Sequence, residues 1–244
     1  MKKTWKILLI TLGCFSALLA SGATYFAVVT KDAALDPKKL VLSDDKVEIF
    51  DADDGIVKNA SAFSPRETFR LETLPDKAKF AFVDTEDKRF YDHGGFDYKR
   101  MVKATLKNVR TRSFKEGAST ISQQLIKNTH LSQEKTIERK LKEVKLTYQL
   151  EKKYSKDEIL EKYLNTIYFG HSCFGLQSAA EFYFGKTPQE LDLADAAILA
   201  GLIKSPNNYS PFKHPENCIQ RKKIVLSAML AQGHITEEEK AAAV

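Results

Sequence analysis

At 244 residues and 43% hydrophobic composition, the chain can bury a sizeable core, which excludes a disordered polymer as the starting assumption. Its formal charge of +6 is unevenly placed: residues 88–153 hold 17 Lys and Arg against 7 Asp and Glu, three more cations precede residue 7, and the remainder is net acidic. Such a concentration suits an anionic partner such as lipid headgroups or a pyrophosphate, with nucleic acid the least suited to a chain outside a membrane. Cys14, Cys173 and Cys218 are too scattered for a disulfide framework or a metal-binding spacing.

Lys2, Lys3 and Lys6 form a short tail, residues 1–6, ahead of an uncharged run from Ile7 to Val29. As a helix, residues 7–29 span about 30 Å of hydrocarbon and read as a transmembrane signal-anchor. A cleaved secretory signal is the competing reading, since Ala20, Ser21, Gly22 and Ala23 are small, but its apolar region would be only about 7–15 residues. The lysines before the span favour a cytoplasmic N-terminus and an extracytoplasmic remainder.

Residues 30–73 read as a stalk or pedestal. Within it, "KVEIFDADDGIVKNAS" suggests two short strands around Asp53-Asp54-Gly55, with a sequon at Asn59. From Pro75 onward helices dominate. A first one runs through "LPDKAKFAFVDTEDKRFYDHGGFD" and ends near the two glycines, packing Ala81, Phe82 and Phe90 inward. Glu86 then lies near its C-terminal end, where an apolar neighbourhood would suit a general base. Asp87 is a supporting neighbour, Asp92 solvated, and His93 structural.

In "EGASTISQQLIKNTHL", a helix places Ser119, Gln123 and Lys127 within about 80° of one another, with Ile121 and Leu125 opposite. Gly117 and Ala118 leave room for a ligand at the helix start, where anions are favoured. In "SQEKTIERKLKEVKLTYQLEKKY", Ile137, Leu141, Val144 and Tyr148 form the expected core stripe, while Lys135, Arg139 and Glu143 align on the other side. Below Glu143 that second face turns apolar at Leu146 and Leu150, so Glu143 sits at the edge of buried surface and needs a partner such as Arg139.

Capping boxes mark three further starts: Ser155 with Glu158, Thr187 with Glu190, and Thr236 ahead of "EEEK". "LDLADAAILAGLI" is apolar nearly all round, which marks a central buried helix rather than a second membrane span.

Five segments in this order, "EDKRFYDHGG", "GASTISQQLIKN", "RKLKE", "KDEILEKYLN" and "GHSCFGLQSAAEFYFGK", resemble the peptidoglycan glycosyltransferases. That family contains monofunctional transglycosylases and the N-terminal transglycosylase domains of class A penicillin-binding proteins. The resemblance covers residues 74–235, leaving 236–244 as a C-terminal helix or the start of a linker. It implies a mainly α, lysozyme-like fold with a membrane-facing second lobe. It also implies polymerisation of lipid II into β-1,4-linked glycan with release of polyprenyl pyrophosphate.

Carried over residue by residue, the resemblance makes Glu86 the base for the acceptor 4-hydroxyl and Glu143 the second essential carboxylate. Lys127, Lys135, Arg139 and Lys140 correspond to cations near the donor phosphates. Ser119, Gln123, Gln124 and Tyr168 line the donor cleft, with Asp87 and Lys103 also in the substrate site. Ala118 stands where the family has a second glycine, and Lys103 where it commonly has arginine, losing a bidentate grip on phosphate.

A magnesium or manganese ion is expected to travel with the substrate pyrophosphate, with no organic cofactor. The implied partners are lipid II, a lipid-linked glycan chain, membrane lipids and cell-wall synthesis or division proteins, and no nucleic acid. A lysozyme-like hydrolase and a non-catalytic lipid II-binding protein are the alternatives. A third reading makes the chain the front part of a bifunctional protein.

Overall fold

The computed structural model describes residues 2–41, 68–111, 119–132 and 134–244. The strands expected around Asp53 and the sequon at Asn59 fall outside them, as do Gly117 and Ala118. Helix α1, Lys2–Thr30, contains a stretch, Thr11–Thr30, long and apolar enough to cross a membrane by length and composition. Leu12, Phe15, Leu18, Leu19 and Val28 stand exposed along it, a surface at ease in hydrocarbon rather than water.

Beyond it lie α2 (Asp76–Glu86), α3 (Tyr98–Thr111), α4 (Ile121–His130), α5 (Ile137–Lys153) and α6 (Lys156–Thr166). A short antiparallel hairpin follows, β1 (Tyr168–Gly170) with β2 (Cys173–Phe174). The chain then forms α7 (Leu176–Phe184), α8 (Leu193–Leu202), α9 (Pro215–Gln232) and α10 (Glu237–Ala243). The mainly α expectation is met, and the capping boxes at Ser155 and Thr236 open α6 and α10 as read from sequence.

Helix α8 is the buried centre of one half of the domain, packed on α2 and α9. Its Ala196, Ala197, Leu199, Ala200 and Leu202 are fully buried, and the small side chains let Phe82, Val225, Leu226 and Met229 close over it. In the other half, α4 packs against both α5 and α6. The entering chain is stitched to α6 by Asn165, whose side chain bonds the Phe69 N–H at 3.1 Å and the Phe69 carbonyl at 3.0 Å.

Four expectations about the elements need correction. The Thr187 box opens only a 3-10 turn, Pro188–Glu190, and Asp192 caps α8 separately by accepting the Asp195 N–H at 2.9 Å. A short aspartate that bonds the backbone locally competes with helix continuation, which splits the segment in two. Helix α4 starts after its cap Thr120, so Ser119 precedes the helix and does not share its face.

On α5 the buried face is Glu143, Leu146, Thr147 and Leu150, whereas Ile137 and Tyr148 of the expected core stripe are 71% and 53% exposed. The outward face meets the end of α1 instead. There the Tyr25 hydroxyl donates to Glu138 at 2.9 Å, Lys145 Nζ to the Thr30 carbonyl at 2.7 Å, and the Leu35 N–H to Gln149 at 3.0 Å.

Finally, α2 stops at Glu86 rather than at the glycines. Gly95 serves close packing instead. At φ +89° its Cα lies so near α5 that a Cβ would sit 2.9 Å from both Glu151 Cγ and Thr147 Cγ2. Gly95→Ala should therefore cost about 2 kcal/mol or more through backbone strain and overlap. Gly94→Ala, with open space around it, should stay within about 0.5 kcal/mol. Thermal unfolding of the two variants beside wild type checks this.

Candidate active site

The site begins where α2 breaks. Asp87 leaves the helix with φ −155° and ψ 71° and turns its carboxylate inward, where it is 1% exposed. Oδ2 accepts the Ile121 N–H of α4 at 3.1 Å, and His93 Nε2 lies 3.0 and 3.1 Å from the two oxygens. A carboxylate only accepts, so Nε2 carries the proton that His93 donates. The anion meets an unsatisfied donor at a helix N-terminus and a packed imidazole, which offsets its burial.

The residues at the start of α4 follow from this contact. Thr120 caps α4 and also donates its hydroxyl to the Gly95 carbonyl at 2.7 Å, tying the helix start to the glycine turn. Gln123 completes the capping box, its Oε1 accepting the Thr120 N–H at 3.1 Å. Its Nε2 then donates to Glu143 Oε1 at 3.2 Å. The neighbouring amide serves the other glutamate, with Gln124 Nε2 donating to Glu86 Oε2 at 2.8 Å. Two consecutive glutamines thus hold one carboxylate each.

The two carboxylates differ in surroundings. Glu143 is 2% exposed. Arg139 pairs with its Oε2 at 3.2 Å, and Lys140 with its Oε1. Buried charge of this kind is stable only when fully paired, and Gln123 completes the set. Glu86 is half-buried and bonded by the single amide, and its Oε1 has no partner among the described residues. That leaves one carboxylate oxygen open as an acceptor.

Of the residues proposed from sequence, Glu86, Asp87, Gln123, Gln124, Arg139, Lys140 and Glu143 join one hydrogen-bonded cluster. Asp87 and Gln123 are buried and fully engaged, so they build the site rather than meet a substrate. Ser119, Lys103, Lys127, Lys135 and Tyr168 are exposed and make no bond to either glutamate. The three lysines pair with no carboxylate among the described residues, which leaves their charge available to an anionic ligand. Tyr168 leans on Phe174, ring centroids 4.8 Å apart.

Sequence reasoning missed two contributors. Tyr163 donates its hydroxyl to Gln124 Oε1 at 3.1 Å. Arg100 holds the end of α2 by donating to the Glu86 carbonyl at 2.6 Å. The phenol of Tyr163 is driven well above its usual range by burial, with the nearby charges of Glu86 and Asp87 adding to it. The "YLN" of the fourth segment was a visible signal for Tyr163, but its partner is a long-range contact that sequence does not show.

Among the described residues no group of three or more His, Cys, Asp or Glu is placed to hold a metal. Glu143, the nearest acid to the basic cluster, already has both oxygens bonded by cations. That donor set fits a phosphate-bearing ligand better than a resident metal.

A family model described as Transglycosylase matches residues 54–230. The chain belongs to the transglycosylase family. This transglycosylase is 42% identical to penicillin-binding protein 1A/1B of Bacillus subtilis over 240 residues, 98% of this chain and 26% of that one. It is also 42% identical to penicillin-binding protein 1A of Aquifex aeolicus over 192 residues, 79% of this chain and 26% of the relative. The transglycosylase chain thus spans about a quarter of the length of these curated relatives. A crystal structure of penicillin-binding protein 1A from Haemophilus influenzae aligns with 74% of this chain and 17% of its own at 26% identity, with a TM-score of 0.45.

Behind the Glu86 main chain, Asp97 organises Arg89 and Arg100: it accepts the Arg100 N–H at 2.7 Å and the Arg89 Nε–H at 3.0 Å. Burial pushes its carboxyl up, but the Arg100 N–H and the Arg89 guanidinium outweigh that and hold it below the usual carboxylate range. Its folded pKa lies below the unfolded one, so its contribution is present above the unfolded value of about 4 and lost as pH falls through the folded value. Asp97→Asn should lower stability at neutral pH by about 1–2 kcal/mol. The gap from wild type should shrink below about pH 4 in denaturant titrations across pH.

Proposed function

We propose that this transglycosylase is a peptidoglycan glycosyltransferase that polymerises lipid II into β-1,4-linked glycan strands. The observation carrying this reading is the unlike pair of glutamates on neighbouring amides: one carboxylate with an open acceptor oxygen, the other saturated by Arg139 and Lys140. A glycosyl transfer onto a hydroxyl needs both a base at the acceptor and positive charge at the departing phosphate.

Glu86 Oε1 takes the proton of the acceptor 4-hydroxyl as that oxygen attacks the donor anomeric carbon from the face opposite the pyrophosphate. The carbon–oxygen bond to the pyrophosphate breaks, and the leaving group departs with the bonding pair. Inversion yields the β linkage. Arg139, Lys140, Lys127 and Lys135 receive the charge that develops on the phosphates, and Glu143 keeps the first two of them in place. By the family resemblance, Ser119, Gln124, Lys103 and Tyr168 belong to the same substrate site. A magnesium or manganese ion enters with the pyrophosphate, as part of the substrate.

The basic face and the exposed apolar helix α1 support a plasma-membrane location with residues after the span on the extracytoplasmic side, where lipid II and the lipid-linked chain are both held by membrane lipids. Cell-wall synthesis or division proteins are the partners such a polymerase would have.

Labelled lipid II given to the purified chain in detergent with magnesium should yield polymer, and Glu86→Gln should lower the rate by about 10²–10⁴-fold while the protein stays folded. Absence of polymer from wild type, or an unimpaired Glu86→Gln, sinks the reading. Lys127→Ala and Lys135→Ala should each lower kcat/KM about threefold to tenfold, by loss of a charge-assisted contact. An unchanged kcat/KM for both would remove them from the phosphate site.

A further inference from the structure

We infer that Tyr163 is a positioning residue for this reaction, anchoring the far end of the Gln124 amide that holds Glu86. The inference rests on Glu86 being the base proposed above. An amide has a donor end and an acceptor end of nearly equal size, and rotating it by about 180° exchanges them. Glu86 can only accept, so it is held in place when Gln124 Nε2 points at it, as it does at 2.8 Å. The reversed amide would set oxygen against oxygen.

The far end of the amide is held by a second group. Tyr163 Oη donates to Gln124 Oε1 at 3.1 Å. The phenol oxygen can also accept an N–H, so the Glu86 carboxylate selects the orientation of the amide and the Tyr163 hydroxyl anchors it there. The ring of Tyr163 is 0% exposed, so no water competes for that hydrogen bond. Burial, with the charges of Glu86 and Asp87, keeps the phenol protonated and so able to donate to the Gln124 oxygen.

The geometry also shows why the effect reaches the carboxylate and not the whole helix end. The main chain of Glu86 is anchored on its own by Arg100, at 2.6 Å to the carbonyl. Among the described residues its side chain bonds only the Gln124 amide. Loss of the Tyr163 hydroxyl frees the amide, and the base loses that tether while its backbone stays in place. Tyr163 touches no reacting atom, and its role is to fix the orientation from which Glu86 Oε1 meets the acceptor hydroxyl.

The test is a steady-state double-mutant cycle on the full chain with labelled lipid II, beside Glu86→Gln as the inactive control. Tyr163→Phe should lower kcat about tenfold with KM within about twofold, the pattern of a lost orientation rather than lost binding. Gln124→Ala should do the same, and the double variant should be no slower than Gln124→Ala alone, because both act through one amide. 4-Aminophenylalanine at position 163, which restores a donor on the same ring, should recover most of kcat.

If the two single effects multiply, or KM alone changes, or Tyr163→Phe keeps wild-type kcat beside an inactive Glu86→Gln, the positioning role is overturned and the base assignment stands. If Glu86→Gln is as active as wild type, the reaction reading itself fails. Should Tyr163→Phe not fold, 4-fluorophenylalanine fills the same space without a donor and carries the same cycle. Failure of both to fold would make Tyr163 a core residue and overturn the role.

Discussion

The buried carboxylate of Asp87 is the contact on which the site depends. It draws the chain out of α2 one residue after Glu86 and fastens that break to the first N–H of α4. An unpaired anion at 1% exposure would be far too costly to retain, so His93 and the helix N-terminus are required wherever Asp87 goes. Once α2 and α4 are joined there, Gln123 and Gln124 fall on the turn that faces two different glutamates.

The placement of each glutamate along its helix separates their roles. Helix α5 brings Glu143 inward together with its own cations, three and four residues earlier on the same helix, so the ion cluster is largely preassembled by i,i+3 and i,i+4 geometry. Glu86 arrives at the end of a helix where, among the described residues, no cation pairs with its carboxylate and the Gln124 amide is its support. One carboxylate organises positive charge, and the other keeps an oxygen free.

Helix α5 also links the site to the apolar helix. Its inner face carries Glu143, Leu146 and Leu150, while Glu138, Lys145 and Gln149 on the outer side bond the end of α1 and the chain just after it. Both faces of α5 mix apolar with charged residues, and periodicity could not say which one is the core. The leucines below Glu143 were the better signal than the longer stripe through Ile137 and Tyr148, because that stripe faces α1 and solvent.

The sequence by itself determined the helical class, the apolar first helix, the buried α8 and the capping boxes, and its motifs singled out the two glutamates. These depend on composition, on local hydrogen bonding between residues three apart, and on motifs whose order along the chain is itself information. Only the tertiary structure decided that α2 ends at Glu86, that α5 turns its glutamate face inward, and that Tyr163 meets Gln124 across 39 residues. Those outcomes are set by contacts between distant segments, where a buried charge or an unsatisfied donor must find its partner, and local propensity carries no record of which partner that is.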